Sequence, residues 1–189
     1  MTMIIIGVVS KFKNHEYGSS ILHNDDLWVL IPKNATSTLK TFVHGSEVEG
    51  QRAAVNFYKN PELLKKNVKV ITRDPIKRYI SGYLTCIARG EFKHIMHFKD
   101  DPFENFSIFT HDRWKRGPQD EHVETQTWFL PPNVNEYIKI ESLTFKENHN
   151  KNNHPLKNKL YDYLINEPKL LSLVKEIFYK DFSLYYKSK

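Results

Sequence analysis

The segment from Leu27 to Leu39 constrains the fold more than any other part of the chain. It opens with the apolar run LWVLI, which predicts a buried strand that ends at Pro32. The polar cluster KNATST follows, and Leu39, Phe42 and Val43 then recur at helical spacing. The pattern therefore predicts a strand that passes through a short turn directly into a helix.

A turn of this kind is suited to binding an anion. The first backbone N–H groups of a helix have no partner within the helix, and the positive end of the helix dipole lies at the same place. Lys33 adds a full positive charge, and the hydroxyl groups of Thr36, Ser37 and Thr38 add hydrogen-bond donors. Taken alone, these residues are also consistent with an ordinary helix cap beside a solvated lysine.

A second junction between a strand and a helix follows 40 residues after Lys33. The sequence VKVIT at 68–72 predicts a strand, Asp74 suits a helix N-cap, and Pro75 suits the first helical position. Because ligands bind beyond the carboxyl ends of strands in open α/β sheets, we expect Lys33 and Arg73 to hold two phosphate-like groups of one nucleotide. A local ion pair between Arg73 and Asp74 is the commoner arrangement when such a turn stands alone.

The helix that follows Arg73 is predicted to be amphipathic. Its apolar residues recur at helical spacing and form the stripe that faces the core: Ile76, Ile80, Tyr83, Leu84 and Ile87. Its polar residues fall on the other side: Lys77, Arg78, Ser81 and Thr85.

The two junctions resemble the nucleotide-binding motifs of sulfotransferases that use 3′-phosphoadenosine 5′-phosphosulfate (PAPS). The sequence IPKNATSTL is similar to the 5′-phosphosulfate loop, above all in the carbohydrate (Golgi-type) enzymes, and VITRDPIKRYISGYL is similar to the 3′-phosphate motif. The resemblance implies PAPS as the donor, adenosine 3′,5′-bisphosphate as the product, and Lys33 as a catalytic residue beside the leaving oxygen. It also implies a set of donor-binding residues by position: Lys33, Asn34, Ala35, Thr36, Ser37, Thr38, Arg73 and Ser81.

Two further segments resemble the same family. The sequence DEHVETQTWFLPPNVNEYIKIESL is similar to an Asp-x-His-Trp-x-Pro-Gln segment and the strand after it, and IFYKDFSLYYK is similar to the family's usual ending. Val123 and Thr125 depart from the pattern, because they stand where those enzymes have Trp and Pro. The acceptor side of the site is therefore less closely matched than the donor side.

The acceptor hydroxyl needs a general base, and two histidines are candidates. His122 lies in the segment that resembles the Asp-x-His motif, beside Glu121 and Glu124, which we expect to tune or orient it. From its neighbours alone, an ordinary polar surface helix is the commoner interpretation of His122. His44 lies between the Lys33 helix and the Arg73 strand, where related sulfotransferases usually keep a catalytic His or Glu. Two acidic residues of that interval are further alternatives: Glu47 and Glu49.

The composition agrees with one compact domain over residues 1–189, of which 40% are hydrophobic and 13% aromatic. We expect a P-loop-like, three-layer α/β sandwich with a central parallel sheet flanked by helices. Cys86 is the single cysteine, which excludes an internal disulfide and a multi-cysteine zinc site. The apolar run Met3 to Val9 is too short to span a bilayer and has no basic leader. We therefore expect a soluble intracellular or cytoplasmic protein without a signal peptide or a membrane partner.

The net charge of +6 suits an anionic ligand but does not choose among nucleotide, sulfated glycan and nucleic acid. A nucleoside triphosphatase is disfavoured, because a Walker loop needs glycines and a lysine at its end, whereas residues 32–38 contain no glycine and Lys33 stands near the start. Arg73 also occupies a strand end where a magnesium-binding carboxylate is expected in that class.

We therefore expect a sulfotransferase that needs no metal and moves a sulfuryl group from PAPS to a hydroxyl acceptor. Carbohydrate is the favoured acceptor class and nucleic acid is a disfavoured partner, while the identity of the acceptor and the oligomeric state are unknown. The alternative is a non-catalytic module that binds anionic glycan or nucleic acid on the same fold.

Overall fold

A mixed five-stranded sheet forms the centre of the protein. The computed structural model describes residues 18–90, 99–118, 120–143 and 154–189, so the apolar run from Met3 to Val9 lies outside the described residues. The strands are β1 (Ser19–His23), β2 (Asp26–Val29), β3 (Val55–Asn56), β4 (Asn67–Thr72) and β5 (Glu136–Lys139). Their order across the sheet is β3-β1-β2-β4-β5.

The parallel part of the sheet is formed by β2, β4 and β5. Val29 of β2 lies opposite Val70 of β4, and Thr72 of β4 lies opposite Lys139 of β5. The remaining strands, β1 and β3, are antiparallel to their neighbours. A connection of only two residues joins β1 to β2, and both have positive φ, 49° at Asn24 and 64° at Asp25, so this pair forms a tight hairpin. The predicted α/β class is confirmed, with an antiparallel extension along one edge that the sequence did not indicate.

Helices follow β2 and β4 at the points that the sequence predicts. The helices of the described residues are α1 (Thr36–His44), α2 (Glu47–Ala53), α3 (Pro75–Arg89), α4 (Pro102–Arg116), α5 (Leu156–Asn166), α6 (Pro168–Ile177) and α7 (Tyr179–Lys187). At the start of α3, Asp74 accepts a hydrogen bond of 2.9 Å from the backbone N–H of Lys77, so the predicted N-cap is confirmed. Within the described residues, none of the helices has the length and apolar content needed to cross a bilayer.

Apolar side chains cover both faces of the sheet. Val68 and Val70 of β4 pack with Phe57 and Phe129, whereas Ile71 packs on the opposite face, in the cluster that includes Leu39 of α1. This alternation follows the two-residue period of a strand. A third cluster joins the apolar stripe of α3 to α4, α5 and α6. The sheet is thus fixed from both sides, which holds the carboxyl ends of β2 and β4 in place.

Arg78, which the sequence analysis places on the polar side of α3, is not exposed to solvent. Its side chain is fully buried, with no exposed surface, rather than on a solvated side. Its Nε donates to the carbonyl oxygen of Pro32 at 3.0 Å, and its Nη1 donates to the carbonyl oxygen of Glu124. Periodicity placed Arg78 off the apolar stripe correctly, but two polar backbone segments cover that side of the helix and accept hydrogen bonds from Nε and Nη1, while Nη2 is buried without a hydrogen-bond partner among the described residues.

At Gly82, the backbone of α3 lies directly against the segment that contains His122 and Val123. A Cβ atom there would overlap the carbonyl oxygen of His122 and lie 3.1 Å from Cγ1 of Val123. We predict that Gly82→Ala lowers the free energy of unfolding by about 1–3 kcal/mol, although alanine is the better helix former. Denaturant unfolding measures this change. Ala88→Gly, at an exposed position of the same helix, gives the propensity difference alone, and an unchanged stability of Gly82→Ala would contradict the close packing.

Candidate active site

A cavity of about 670 Å³ opens beyond the carboxyl ends of β2 and β4. Most of the residues predicted to hold the donor line this cavity: Lys33, Ala35, Thr36, Ser37, Thr38, Arg73 and Ser81. His122, predicted as a candidate base, also lines it. The two junctions identified in the sequence therefore meet at one site.

The turn before α1 has an unusual backbone. Lys33 and Ala35 have φ values of 69° and 58°, in the left-handed region that residues with a Cβ atom rarely adopt. Strained backbone of this kind is concentrated at functional sites. Ala35 is the N-cap of α1 and provides no side-chain hydrogen bond, so the interpretation as an ordinary helix cap is not supported. The first N–H groups of α1 are the groups that a helix leaves without an internal partner.

Two of the three hydroxyl groups in this turn donate to protein atoms. Thr36 Oγ1 donates to the carbonyl oxygen of Ile31 at 2.7 Å, and Ser37 Oγ donates to Glu47 Oε1 at 2.6 Å. A hydroxyl group has one hydrogen to donate. The backbone N–H groups, Lys33 and Thr38 are therefore the better candidates to donate to an anion in the cavity.

Lys33 and Arg73 lie next to each other. Nη1 of Arg73 donates to the carbonyl oxygen of Lys33 at 2.7 Å. Burial lowers the pKa of Lys33, and the positive charges of Arg89 and Arg73 lower it further. Burial also lowers the pKa of Arg73. Both side chains have lost part of their hydration, so an anionic group bound beside either of them would stabilise its charged form.

A third cation reaches the cavity from α5. Lys157 lines the cavity, and its pKa is lowered by burial and by the positive charges of Arg73 and Lys77. Ser81 of α3 lies in the same lining. The sequence analysis missed Lys157 as a site residue, because it lies in a stretch rich in Asn, Lys and His, residues 146–159, whose composition indicates an exposed loop. The end of the cavity at Arg73 thus carries the charge needed for a multiply charged anion.

Asp120 holds His122 in place. Its Oδ1 lies 2.6 Å from Nδ1 of His122 and accepts the backbone N–H of the same residue at 2.7 Å. Although burial opposes it, hydrogen bonding from His122 lowers the pKa of Asp120 to about 2, so this group is a carboxylate at neutral pH. The Asp120 carboxylate therefore requires a hydrogen on Nδ1 of His122, which leaves Nε2 as the ring's acceptor atom in the neutral form.

The expected orientation of His122 by Glu121 and Glu124 is wrong. Asp120 is the N-cap of the short helical turn Glu121–Val123, and this geometry brings its carboxylate to the histidine two residues later. Glu124 is buried, with its carboxylate 3.6 Å from Nη2 of Arg113, and Glu121 lines the cavity. The sequence analysis missed Asp120, and the Asp-x-His spacing is the signal that could have indicated it.

Three of the remaining predicted residues, Asn34, His44 and Glu49, lie outside the cavity lining. Asn34 is buried behind the turn, where its Nδ2 donates to the carbonyl oxygen of Ile71 at 2.7 Å and to Oε1 of Gln126 at 2.6 Å. His44 ends α1, and its Nε2 is buried without a hydrogen-bond partner among the described residues. Of the two acidic alternatives, Glu47 lines the cavity, and Glu49 forms an exposed ion pair with Arg52 at 2.7 Å.

Comparison with known families identifies one match. A profile described as the sulfotransferase family matches residues 25–157, which is more than half of the chain and includes Lys33, Arg73 and His122. Neither a search of curated proteins nor a search of solved structures found a match. Within the described ranges, no group of three or more His, Cys, Asp and Glu residues is arranged to hold a metal ion.

The depressed pKa of Asp120 leads to a prediction about acid stability. Its pKa is about 2 in the folded protein and 3.8 without perturbation, so its stabilising effect is complete above pH 4 and is lost as the pH falls toward 2. We therefore expect a difference in unfolding free energy between the wild type and Asp120→Asn at pH 5. It should shrink between about pH 4 and pH 2. Urea unfolding at each pH measures it, and a difference that stays constant down to pH 2 would contradict the Asp120–His122 contact.

Proposed function

The chain belongs to the sulfotransferase family, and we propose that it transfers a sulfuryl group from PAPS to a hydroxyl group, with carbohydrate as the favoured acceptor class. One observation carries this proposal. Lys33 and Arg73, 40 residues apart in the sequence, line the same cavity and are joined through the hydrogen bond of 2.7 Å from Arg73 to the Lys33 carbonyl oxygen.

The residues around the cavity fit a nucleotide that is anionic at both ends. Lys33 and the N-terminus of α1 form one cationic region, which suits a 5′-phosphosulfate. Arg73, Ser81 and Lys157 form the other, which suits a 3′-phosphate. The desolvation that lowers the pKa of each cation supports the same assignment, because an anion would replace the lost hydration.

Catalysis at this site rests on positioning and charge stabilisation. PAPS, when bound, supplies the sulfuryl group and a phosphate as the leaving group. Lys33 stabilises the negative charge that builds on the leaving oxygen, and the first N–H groups of α1, together with Thr38, hold the other oxygens. Arg73 holds the opposite end of the nucleotide and so keeps the reacting end in line with the acceptor.

We assign His122 as the general base. Asp120 holds its Nδ1 hydrogen, so Nε2 is the atom that accepts the proton of the acceptor hydroxyl. The Asp120 carboxylate also stabilises the imidazolium that forms when the proton is taken. His122 lines the cavity and His44 does not, which supports His122 over His44.

One wall of the cavity is polar, which favours a polar acceptor. Donors and acceptors from α1 and α2 line it: Lys40, Thr41, Glu47 and Gln51. Such a surface offers hydrogen bonds to a ligand with several hydroxyl groups and little apolar area to a hydrophobic alcohol. A carbohydrate is the acceptor class that this wall suits.

Donor binding is tested by calorimetry with adenosine 3′,5′-bisphosphate. We expect Arg73→Ala to weaken binding about 10- to 100-fold, through loss of charged hydrogen bonds to a phosphate. Lys33→Ala should reduce turnover more strongly than affinity, because its charge is used most in the transition state. Lys65→Ala, at an exposed lysine outside the cavity lining, is the matched control. If the wild type fails to bind this ligand at millimolar concentration, the donor assignment is wrong.

The base assignment is tested with a radiolabelled donor and a panel of glycans and small alcohols. We expect His122→Gln to lower kcat about 10²- to 10⁴-fold while the affinity for adenosine 3′,5′-bisphosphate stays within about threefold. His44→Gln is the matched comparison, and a loss of kcat there instead would assign the base to the earlier interval. A wild type that binds the donor but sulfates no acceptor would favour the non-catalytic binding module.

A further inference from the structure

A single buried side chain joins the two anion-binding segments. Gln126 has no exposed surface and begins the short helical turn Gln126–Phe129. Its Oε1 accepts hydrogen bonds from Nδ2 of Asn34 at 2.6 Å and from the backbone N–H of Arg73 at 3.0 Å. Its Nε2 donates to the carbonyl oxygen of Arg73 at 2.9 Å. One amide group therefore contacts the Lys33 turn and the peptide groups on both sides of the Arg73 Cα atom.

Hydrogen bonds to the Gln126 backbone and to its partner Asn34 hold this arrangement in place. The backbone N–H of Gln126 donates to Oδ2 of Asp181 at 2.6 Å, and the N–H of Thr127 donates to Oδ1 of the same carboxylate at 2.9 Å. Asp181 belongs to α7 and is fully buried. Asn34 is held at the same time by the carbonyl oxygen of Ile71, the second-last residue of β4. The position of the Gln126 side chain is thus set by the sheet and by the last helix.

We propose that Gln126 is a positioning residue that fixes the spacing between the Lys33 turn and Arg73, and so makes the cavity select ligands with phosphate-like groups at both ends. This inference rests on the proposed function. Asn34 lies between Lys33 and Ala35, the two residues with left-handed backbone, and its hydrogen bond to the Ile71 carbonyl oxygen holds the turn on its own, so the contact to Gln126 sets the position of the turn relative to Arg73. The paired contacts to Arg73 set the direction in which its side chain leaves the strand.

A purely structural role for Gln126 makes a different prediction. If Gln126 only stabilised the fold, its loss would weaken every ligand of the cavity by a similar factor. If it sets the spacing of two segments, its loss weakens a ligand that spans both segments and spares one that uses the Lys33 turn alone. The ratio of two affinities therefore distinguishes the roles, whereas a change in stability does not.

The experiment compares two nucleotides by calorimetry on the full chain. We expect the wild type to bind adenosine 3′,5′-bisphosphate more tightly than adenosine 5′-monophosphate. In Gln126→Leu, the Kd for the bisphosphate should rise about 10- to 100-fold, and the Kd for the monophosphate should rise less than about threefold.

Asn135→Leu is the matched control. Oδ1 of Asn135 accepts a hydrogen bond of 2.7 Å from the backbone N–H of Val68. This variant therefore also removes a hydrogen bond between a side-chain amide and β4, but at the end of the strand away from Arg73. It should lower stability and leave the ratio of affinities unchanged. Equal weakening of both nucleotides in Gln126→Leu, or no weakening, would overturn the positioning role alone. A wild type that binds neither nucleotide would overturn the proposed function and this inference together.

Discussion

The geometry of the cavity depends on the buried guanidinium of Arg78. It donates to the carbonyl oxygens of Pro32 and Glu124, and so ties the Lys33 turn to the segment that carries His122. Burial lowers its pKa to about 10, and the negative charges of Asp181 and Glu124 offset part of that effect. A buried cation is tolerated only where carbonyls and carboxylates compensate for its lost hydration. The Lys33 turn and the segment that carries His122 are therefore both held by the Arg78 guanidinium, and their carbonyl oxygens in turn stabilise its buried charge.

The site lies at the ends of strands, and for this reason polar groups surround its base. Strand ends and the turns after them present backbone N–H and C=O groups that the sheet does not pair, and buried groups of this kind need partners. Side chains of Arg78, Gln126 and Asp181 supply those partners across long distances in the sequence. Apolar clusters hold the sheet and helices together without directional preference, whereas hydrogen bonds fix particular atoms at particular distances. Fold stability and site geometry thus rest on different sets of contacts.

Features that depend on neighbouring residues could be predicted from the sequence, whereas hydrogen bonds between distant segments could not. Strand, turn and helix signals placed Lys33 and Arg73 at two strand ends, and topology brings such ends to one edge of a sheet. The capping role of Asp74 was equally local. Arg78 and Gln126 find their partners more than 40 residues away, and helical periodicity gives the side of a helix but not the segment that covers it. The hydrogen-bonding partners of these two residues therefore required the folded chain.

The segment from Asp120 to Gln126 connects the proposed base to the proposed donor site. It begins with the carboxylate that holds His122 and ends with the amide that contacts both anion-binding segments. Its backbone is held between these points by Arg78 at the Glu124 carbonyl oxygen. Val123, where the carbohydrate enzymes have Trp, is buried against the α3 cluster, so its side chain contributes packing and none of these hydrogen bonds. In-line transfer requires base, acceptor and donor to be aligned closely, and a short segment fixed at both ends can provide that alignment despite the changed residue between its anchors.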